Sequence, residues 1–335
     1  MLRVGVLGSG FMGGLHARAY HALPDVQVVA LTSRGPARGE RLAAEVGGRY
    51  VADPDQIIAD PEIDAIDVCL PTPEHARYTI AALRAGKHVL VEKPLAANLA
   101  EADDILRVWR ETGQVLMVAH VLRFWPEYVA LQDCIVRGDI GRPLSGFAWR
   151  LSTSASPTRF ARDPSIAGGA VLDLQIHDVD LFNWIFGKPV RVTATGIQTR
   201  NGAWDYAHTT VMFDSTSASA EASSLFPGSW PFTMGLRVLG AAGAIEYAFR
   251  AAGPSVEMGM QREPGLTLYR EGSDPLGIPV AARSAYETEV EYFVDHARRG
   301  EPVALGTPED GYRALAVALA ARRSLDEGRP IDLNL

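Results

Sequence analysis

Three glycines, one lysine and an Asp-His pair are the residues whose types and spacing in this chain could do chemistry. In VGVLGSGFMGG, Gly8, Gly10 and Gly13 form G-x-G-x-x-G directly after a strand-like run and at the opening of a helix. There the amides around Ser9, Phe11 and Met12 and the positive end of the helix converge on one point, a setting that suits a pyrophosphate. The same spacing also occurs in ligand-free turns, but here motif, strand and helix agree. A NAD site should carry Asp or Glu about 20 residues further on, at the end of the second strand, to accept the ribose 2′-hydroxyl. Position 33 is Ser, followed by Arg34 and, a helical turn later, Arg38. A hydroxyl and two cations welcome a 2′-phosphate that a carboxylate would repel. The expected cofactor is NADP, with NAD possible.

Lys93 follows the strand-like run His88 to Val91, and Pro94 keeps it out of helical geometry. Ligands of doubly wound sheets sit beyond the carboxyl ends of the strands. Glu92 is therefore placed either to face a ribose or to pair with the ammonium. At the end of an earlier strand, Leu70, Thr72, Pro73 and His75 are expected cofactor contacts, although a histidine opening a helix needs no ligand. Arg123 and Arg162 are weaker candidates for substrate contacts. Much later, Asp173, His177 and Asp180 fall within about 60° of one another on a helix turning about 100° per residue, whereas Asp178 lies about 140° from Asp173. Such a stripe could bind a metal, form a structural hydrogen-bond network or exchange protons. No metal is expected, because no nearby histidine or cysteine motif completes a ligand set; with Lys93 in the same chain, proton exchange is the preferred reading.

These residues need elements to hold them. Apolar runs suited to strands buried on both faces recur at Leu2 to Leu7, Val26 to Thr32, Ala65 to Leu70, His88 to Val91 and Val115 to Ala119. Helical segments lie between them: Pro36 opens one before Gly47-Gly48, Pro73 opens another that Gly86 stops, and Asn98 with Glu101 resembles a capping box before a helix ended by Gly113. This alternation predicts a parallel, doubly wound α/β domain over residues 1–121. The rhythm then changes. A helix from about Pro126 to Arg137, a strand at Leu144 to Leu151 and a helix from Ala170 to Phe186 precede strands at Val190 to Gly196, His208 to Phe213, Ala218 to Leu225, Leu236 to Leu239 and Ala244 to Tyr247. Helices at Ala285 to Arg299 and Pro308 to Glu327 close the chain. Residues 122–335 thus predict an α+β domain on a mainly antiparallel open sheet.

Composition narrows the partners. The 335 residues carry 32 Lys+Arg against 40 Asp+Glu, a formal net charge of −8. No global basic field exists to recruit nucleic acid or anionic lipid. The two cysteines, Cys69 and Cys134, suggest neither a disulfide framework nor a thiolate zinc site. Without an apolar run of about 18 residues or signal-peptide segments, a cytoplasmic protein acting on a small molecule is expected.

Four segments carry a family resemblance: PTPEH at Pro71 to His75, AGKHVLVEKPLA at Ala85 to Ala96, LRFWP at Leu122 to Pro126 and GGAVLDLQIHDVDLFNWIFG at Gly168 to Gly187. Over nearly the whole chain the sequence resembles the Gfo/Idh/MocA oxidoreductases, the Glu-Lys-Pro motif being the most specific part. The resemblance implies a nicotinamide-dependent dehydrogenase or reductase of sugars, polyols or related hydroxy compounds. It also implies a Rossmann domain followed by an α+β domain whose open sheet mediates homodimers or homotetramers. The family's catalytic lysine corresponds to Lys93, and its Asp-x-x-x-His pair to Asp173 and His177. The resemblance further suggests a cis Lys93-Pro94 bond. Two departures stand out: Gln175, where glycine is common, could alter substrate contacts, and Ser33 replaces the Asp of many NAD-using members. Two rival functions remain at this level, a NAD-dependent glycoside hydrolase of the same family and a non-catalytic dinucleotide-sensing regulator.

Overall fold

Residues 1–153, 169–199, 202–253 and 265–335 are described by a computed structural model of the chain. They form two compact units, Met1–Trp125 with Arg283–Tyr312, and Pro126–Ala282 with Arg313–Leu335. Among the described residues, no helix is long and apolar enough to cross a membrane.

The first unit is built on six parallel strands, β1 (Leu2–Leu7), β2 (Val26–Thr32), β3 (Arg49–Tyr50), β4 (Ala65–Val68), β5 (His88–Glu92) and β6 (Leu116–Ala119). Their spatial order is β3-β2-β1-β4-β5-β6, so the order reverses between β1 and β4. A crevice for a ligand belongs at the carboxyl ends of the strands on either side of that reversal. Helices α1 (Phe11–Ala22), α2 (Pro36–Val46), α3 (Pro54–Ala59), α4 (Thr72–Arg84) and α5 (Leu99–Thr112) make the crossovers. Local chemistry sets their ends. The Asn98 side chain accepts from the Glu101 amide at 3.0 Å, the Glu101 carboxylate accepts from the Ala97 amide at 3.1 Å, and Gly113, at φ 68°, ends α5 in the left-handed region. The helix Ala285–Arg299 returns to this unit because its apolar stripe of Val290, Phe293, Val294 and Ala297 shares a core with Val4, Val6, Tyr20, Leu90 and Met117.

Among its described residues the second unit carries nine strands: β7 (Pro143–Thr153), β8 (Pro189–Gln198), β9 (Trp204–Phe213), β10 (Ser217–Phe226), β11 (Thr233–Gly240), β12 (Gly243–Arg250), β13 (Leu266–Arg270), β14 (Leu276–Ile278) and β15 (Ile331–Asp332). They run in the order β14-β13-β12-β11-β7-β10-β9-β8-β15, and every pair is antiparallel except β7 with β10. Strand β7 alternates as a sheet covered on one face should: Gly146, Ala148 and Arg150 are buried, while Phe147 and Trp149 remain partly exposed. Helix Ile176–Phe186 lies on the buried face, where a Cβ on Gly146 would stand 2.9 Å from the Phe186 ring. Helix Pro126–Val136 packs against β12 and β13, strands of the second unit's sheet, its Tyr128 ring edge-on to Tyr247 at 5.1 Å.

The helix expected from Ala170 is not uniform. Val171–Gln175 is π-helical, and α geometry begins at Ile176. Gln175 explains the wide turn, because its buried amide donates to Ala220 O at 2.9 Å and accepts from Thr209 Oγ at 2.6 Å, tying the turn to β9 and β10. Its side chain is therefore committed to the sheet. The short elements β3, α3, β13, β14 and β15 have no counterpart in the sequence reading.

Candidate active site

The glycine loop between β1 and α1 has the shape of an anion cradle. Gly8 has φ 114°, and a Cβ there would lie 2.5 Å from Cys69 O; a Cβ on Gly13 would meet Gly8 O at 2.0 Å. These two glycines are demanded by the tight turn and by close helix packing. Gly10 differs: a Cβ there would meet nothing within 4 Å. The open space adjoins the start of α1, whose N-cap, Gly10, supplies no side-chain hydrogen bond and whose first turn holds no acid. Amides with no carboxylate among them fit a pyrophosphate, so the residues present fit a dinucleotide.

At the end of β2, the Ser9 hydroxyl donates to Ser33 Oγ at 2.5 Å, and Ser33 Oγ donates to Gly35 O at 3.0 Å. Tyr50 fixes the same turn by donating to Ser33 O at 3.2 Å. Arg34 and Arg38 lie exposed beyond it. The loop end and the β2 end expected to share the cofactor are thus hydrogen-bonded to each other.

The ends of β4 and β5 form a second lip. Leu70 and Thr72 are half-buried and Pro73 is exposed. His75, in the first turn of α4, is buried, with Nδ1 2.7 Å from Pro94 O and Nε2 2.7 Å from Leu70 O. Burial pushes its pKa down and the Lys93 ammonium adds to that, while the two carbonyls pull it up. A neutral ring, the form that burial favours, has one N–H to give, so it donates to one of the two carbonyls and faces the other. Both ring nitrogens are thus turned to backbone carbonyls. Lys93 is half-buried, the Lys93-Pro94 bond is cis, and Glu92 accepts from the Lys93 amide at 3.0 Å.

Behind Glu92 lies a buried charge cluster that the sequence does not announce. His16 Nδ1 is 2.9 Å from Asp67, and Nε2 is 3.6 Å from Glu92 and 3.9 Å from Glu289. Burial alone would strip the proton from His16, but Asp67 above all, then Glu92 and Glu289, outweigh it and push its pKa up to about 9. Burial pushes the Glu92 carboxyl up against the pull of His16 and Lys93, and pushes Glu289 well above the usual carboxylate range. Cys69 Sγ donates to Asp67 at 3.1 Å, so the three potential metal-ligating groups that lie within 4.8 Å of one another, His16, Asp67 and Cys69, bond to each other. The only sequence cue was His16 three residues after Gly13, on the face of α1 turned to the sheet.

In the second unit, Asp173 is exposed on the π turn and His177 half-buried at the start of the α segment. Asp178, off that stripe, is fully buried and accepts from Nη2 and Nε of the buried Arg150 guanidinium, at 2.8 and 3.3 Å. Asp180 is buried. Arg123, in the first unit, is 3% exposed and lies 3.0 Å from Asp310. Arg162 falls outside the described residues.

The chain matches two family profiles, "Oxidoreductase family, NAD-binding Rossmann fold" over residues 2–120 and "Oxidoreductase family, C-terminal alpha/beta domain" over 132–333. An inositol 2-dehydrogenase of Rhizobium meliloti is 31% identical, covering 99% of both chains. A 1,5-anhydro-D-fructose reductase of Ensifer adhaerens is 30% identical over 92% of this chain and 91% of its own. Among solved structures, GenD2 from gentamicin A biosynthesis in complex with NAD superposes with a TM-score of 0.84 at 25% identity, covering 100% of this chain and 97% of that one. With both of its parts matched end to end, the chain belongs to the Gfo/Idh/MocA family of NAD-binding oxidoreductases.

Proposed function

We propose that the protein interconverts a secondary alcohol and a carbonyl on a sugar, polyol or related hydroxy compound, with NADP preferred over NAD. The observation that carries the reading is the open space at Gly10, at the start of a helix lacking acids, on the same strand ends as Glu92 and Lys93. Relatives named for inositol oxidation and for anhydrofructose reduction support the substrate class and leave the direction of turnover to the substrate.

In this reading the amides of Ser9 to Gly13 hold the pyrophosphate, Ser33 with Arg34 and Arg38 receive the 2′-phosphate, and Leu70, Thr72, Pro73 and Glu92 line the cofactor's reactive half. The bound nicotinamide supplies the hydride acceptor, or the donor in reduction. His177 takes the hydroxyl proton during oxidation and returns it during reduction, the two-way exchange that imidazole chemistry permits. Lys93 donates to the reacting oxygen and stabilises its developing charge. Asp173 orients His177 or binds a neighbouring hydroxyl. The open face of the nine-stranded sheet joins copies of the chain into a homodimer or homotetramer.

The test is a screen of inositols, aldoses and their keto forms with NADP and NAD, followed by nicotinamide absorbance. Turnover on at least one hydroxy compound is expected. Bound dinucleotide with no net redox change on any of them would overturn the proposal.

A further inference from the structure

We propose that His75 is the positioning residue for Lys93, a strap that fixes the root of the lysine by tying together the loops that follow β4 and β5. The inference deepens the reading above and rests on Lys93 acting at the substrate oxygen.

The paired β4–β5 ladder ends at Val68 opposite Val91. Beyond it the two chains part, one toward Leu70 and α4, the other toward Lys93 and Pro94. The His75 ring spans that gap, with one nitrogen at 2.7 Å from the Leu70 carbonyl and the other at 2.7 Å from the Pro94 carbonyl. Pro94 has no amide hydrogen with which to be held, so its carbonyl is the backbone handle at this position. On the other side of Lys93, the Glu92 carboxylate takes the lysine's own amide at 3.0 Å. Side chains thus hold the backbone at the Lys93 amide and at the carbonyl of the residue that follows. A lysine carries four rotatable side-chain bonds, so fixing its root is the most that backbone anchoring can contribute to its aim. His75 is 1% exposed with both nitrogens on carbonyls, which leaves positioning as what it can do for this site.

The experiment uses the full chain with His75→Leu, His75→Gln, Lys93→Met and the double variant His75→Leu/Lys93→Met. The first readout is hydrogen exchange of the ligand-free protein. His75→Leu should speed exchange at Lys93 and Leu95 to Ala97, with the α1 and α5 amides unchanged. The second is turnover on a hydroxy compound that passes the screen. His75→Leu should lose roughly tenfold to a hundredfold in kcat, the scale of a misplaced catalytic group. Its affinity for NADPH should stay within about threefold, because both ring nitrogens face backbone carbonyls. His75→Gln, which keeps one amide donor, should recover part of the loss, and it serves alone if His75→Leu does not fold. The double variant should be no slower than Lys93→Met, since an aim has no value once the lysine is gone. Unchanged exchange at 93–97, a full kcat in His75→Leu beside a disabled Lys93→Met, or losses that multiply in the double variant would each overturn the positioning role. Full turnover by Lys93→Met would instead overturn the functional reading, and this inference with it.

Discussion

Lys93 and His177 are assigned to the same oxygen in opposite roles, one supplying a hydrogen bond and the other exchanging a proton. Neither is assigned to the pyrophosphate. Lys93→Met is therefore expected to lose about 10²–10³ in turnover and His177→Ala about 10²–10⁴, the ordinary cost of removing a preorganised donor or a general base. Both should bind NADPH and melt as the wild type does. If His177→Ala keeps more than about a tenth of wild-type turnover, the proton role belongs elsewhere. Cofactor choice rests on different residues. Ser33 already accepts from Ser9 and donates to Gly35 O, so an Asp in its place would set a charge where the 2′-phosphate is expected and disturb that network as well. Ser33→Asp with Arg34→Ala should reverse the preference, because each charge-assisted bond lost is worth about 1.5–3 kcal/mol. Fluorescence titration of NADPH and NADH decides, and tighter binding of NADH by the wild type would refute the NADP assignment.

Among the elements, α1 does more than present amides. On its sheet side it carries His16 into contact with acids from β4, β5 and the helix Ala285–Arg299, so segments far apart in sequence meet around one imidazolium. Its pKa is raised from 6.5 to about 9 in the folded protein. A raised pKa means that the folded state binds the proton more tightly. The contribution, about 3 kcal/mol at most, is therefore complete below about pH 6.5 and lost as pH rises through 9. The raised carboxyls of Glu92 and Glu289 act with the same sign, since a raised pKa means tighter proton binding in the folded state. The melting temperature should fall between pH 6.5 and 9.5, and His16→Gln should be less stable with a flatter profile; equal slopes for the two proteins would remove His16 as the cause. None of this was legible in the sequence. Strand and helix order were, because runs such as Val26–Thr32 and punctuation such as Asn98 with Gly113 act locally. The partner of a buried His is chosen by tertiary contact, and the π turn at Val171–Gln175 depends on carbonyls and a hydroxyl from two strands more than thirty residues away. The Asp173–His177 spacing could be read; the turn that carries it could not.

At the scale of the whole molecule, the open face of the nine-stranded sheet is the feature that a single copy leaves unexplained. Along β7, Phe147 and Trp149 point away from the face that buries Gly146, Ala148 and Arg150, and their rings stack with centroids 6.1 Å apart. Neighbouring strands add to this surface. His208 approaches Phe147 at 6.4 Å, Arg237 lies over the same ring at 5.8 Å, and Gly235 has no side chain where Trp149 crosses it. Aromatics with an adjacent arginine are the residues enriched where protein surfaces meet, and their burial between two copies would supply what an isolated sheet face leaves in water. Wild-type protein is accordingly expected to sediment at two or four times the 36.1 kDa of one chain. Phe147→Glu with Trp149→Glu would set four carboxylates against one another in each pair of apposed β7 strands, and should shift the population to the single-chain mass. Because those side chains point away from the helices that cover the sheet, the melting temperature of each chain should change less than the mass does. Light scattering coupled to size exclusion separates the outcomes. A wild-type mass of 36.1 kDa at micromolar concentration would remove the assembly outright, and an unchanged larger mass in the double variant would assign the interface to another surface.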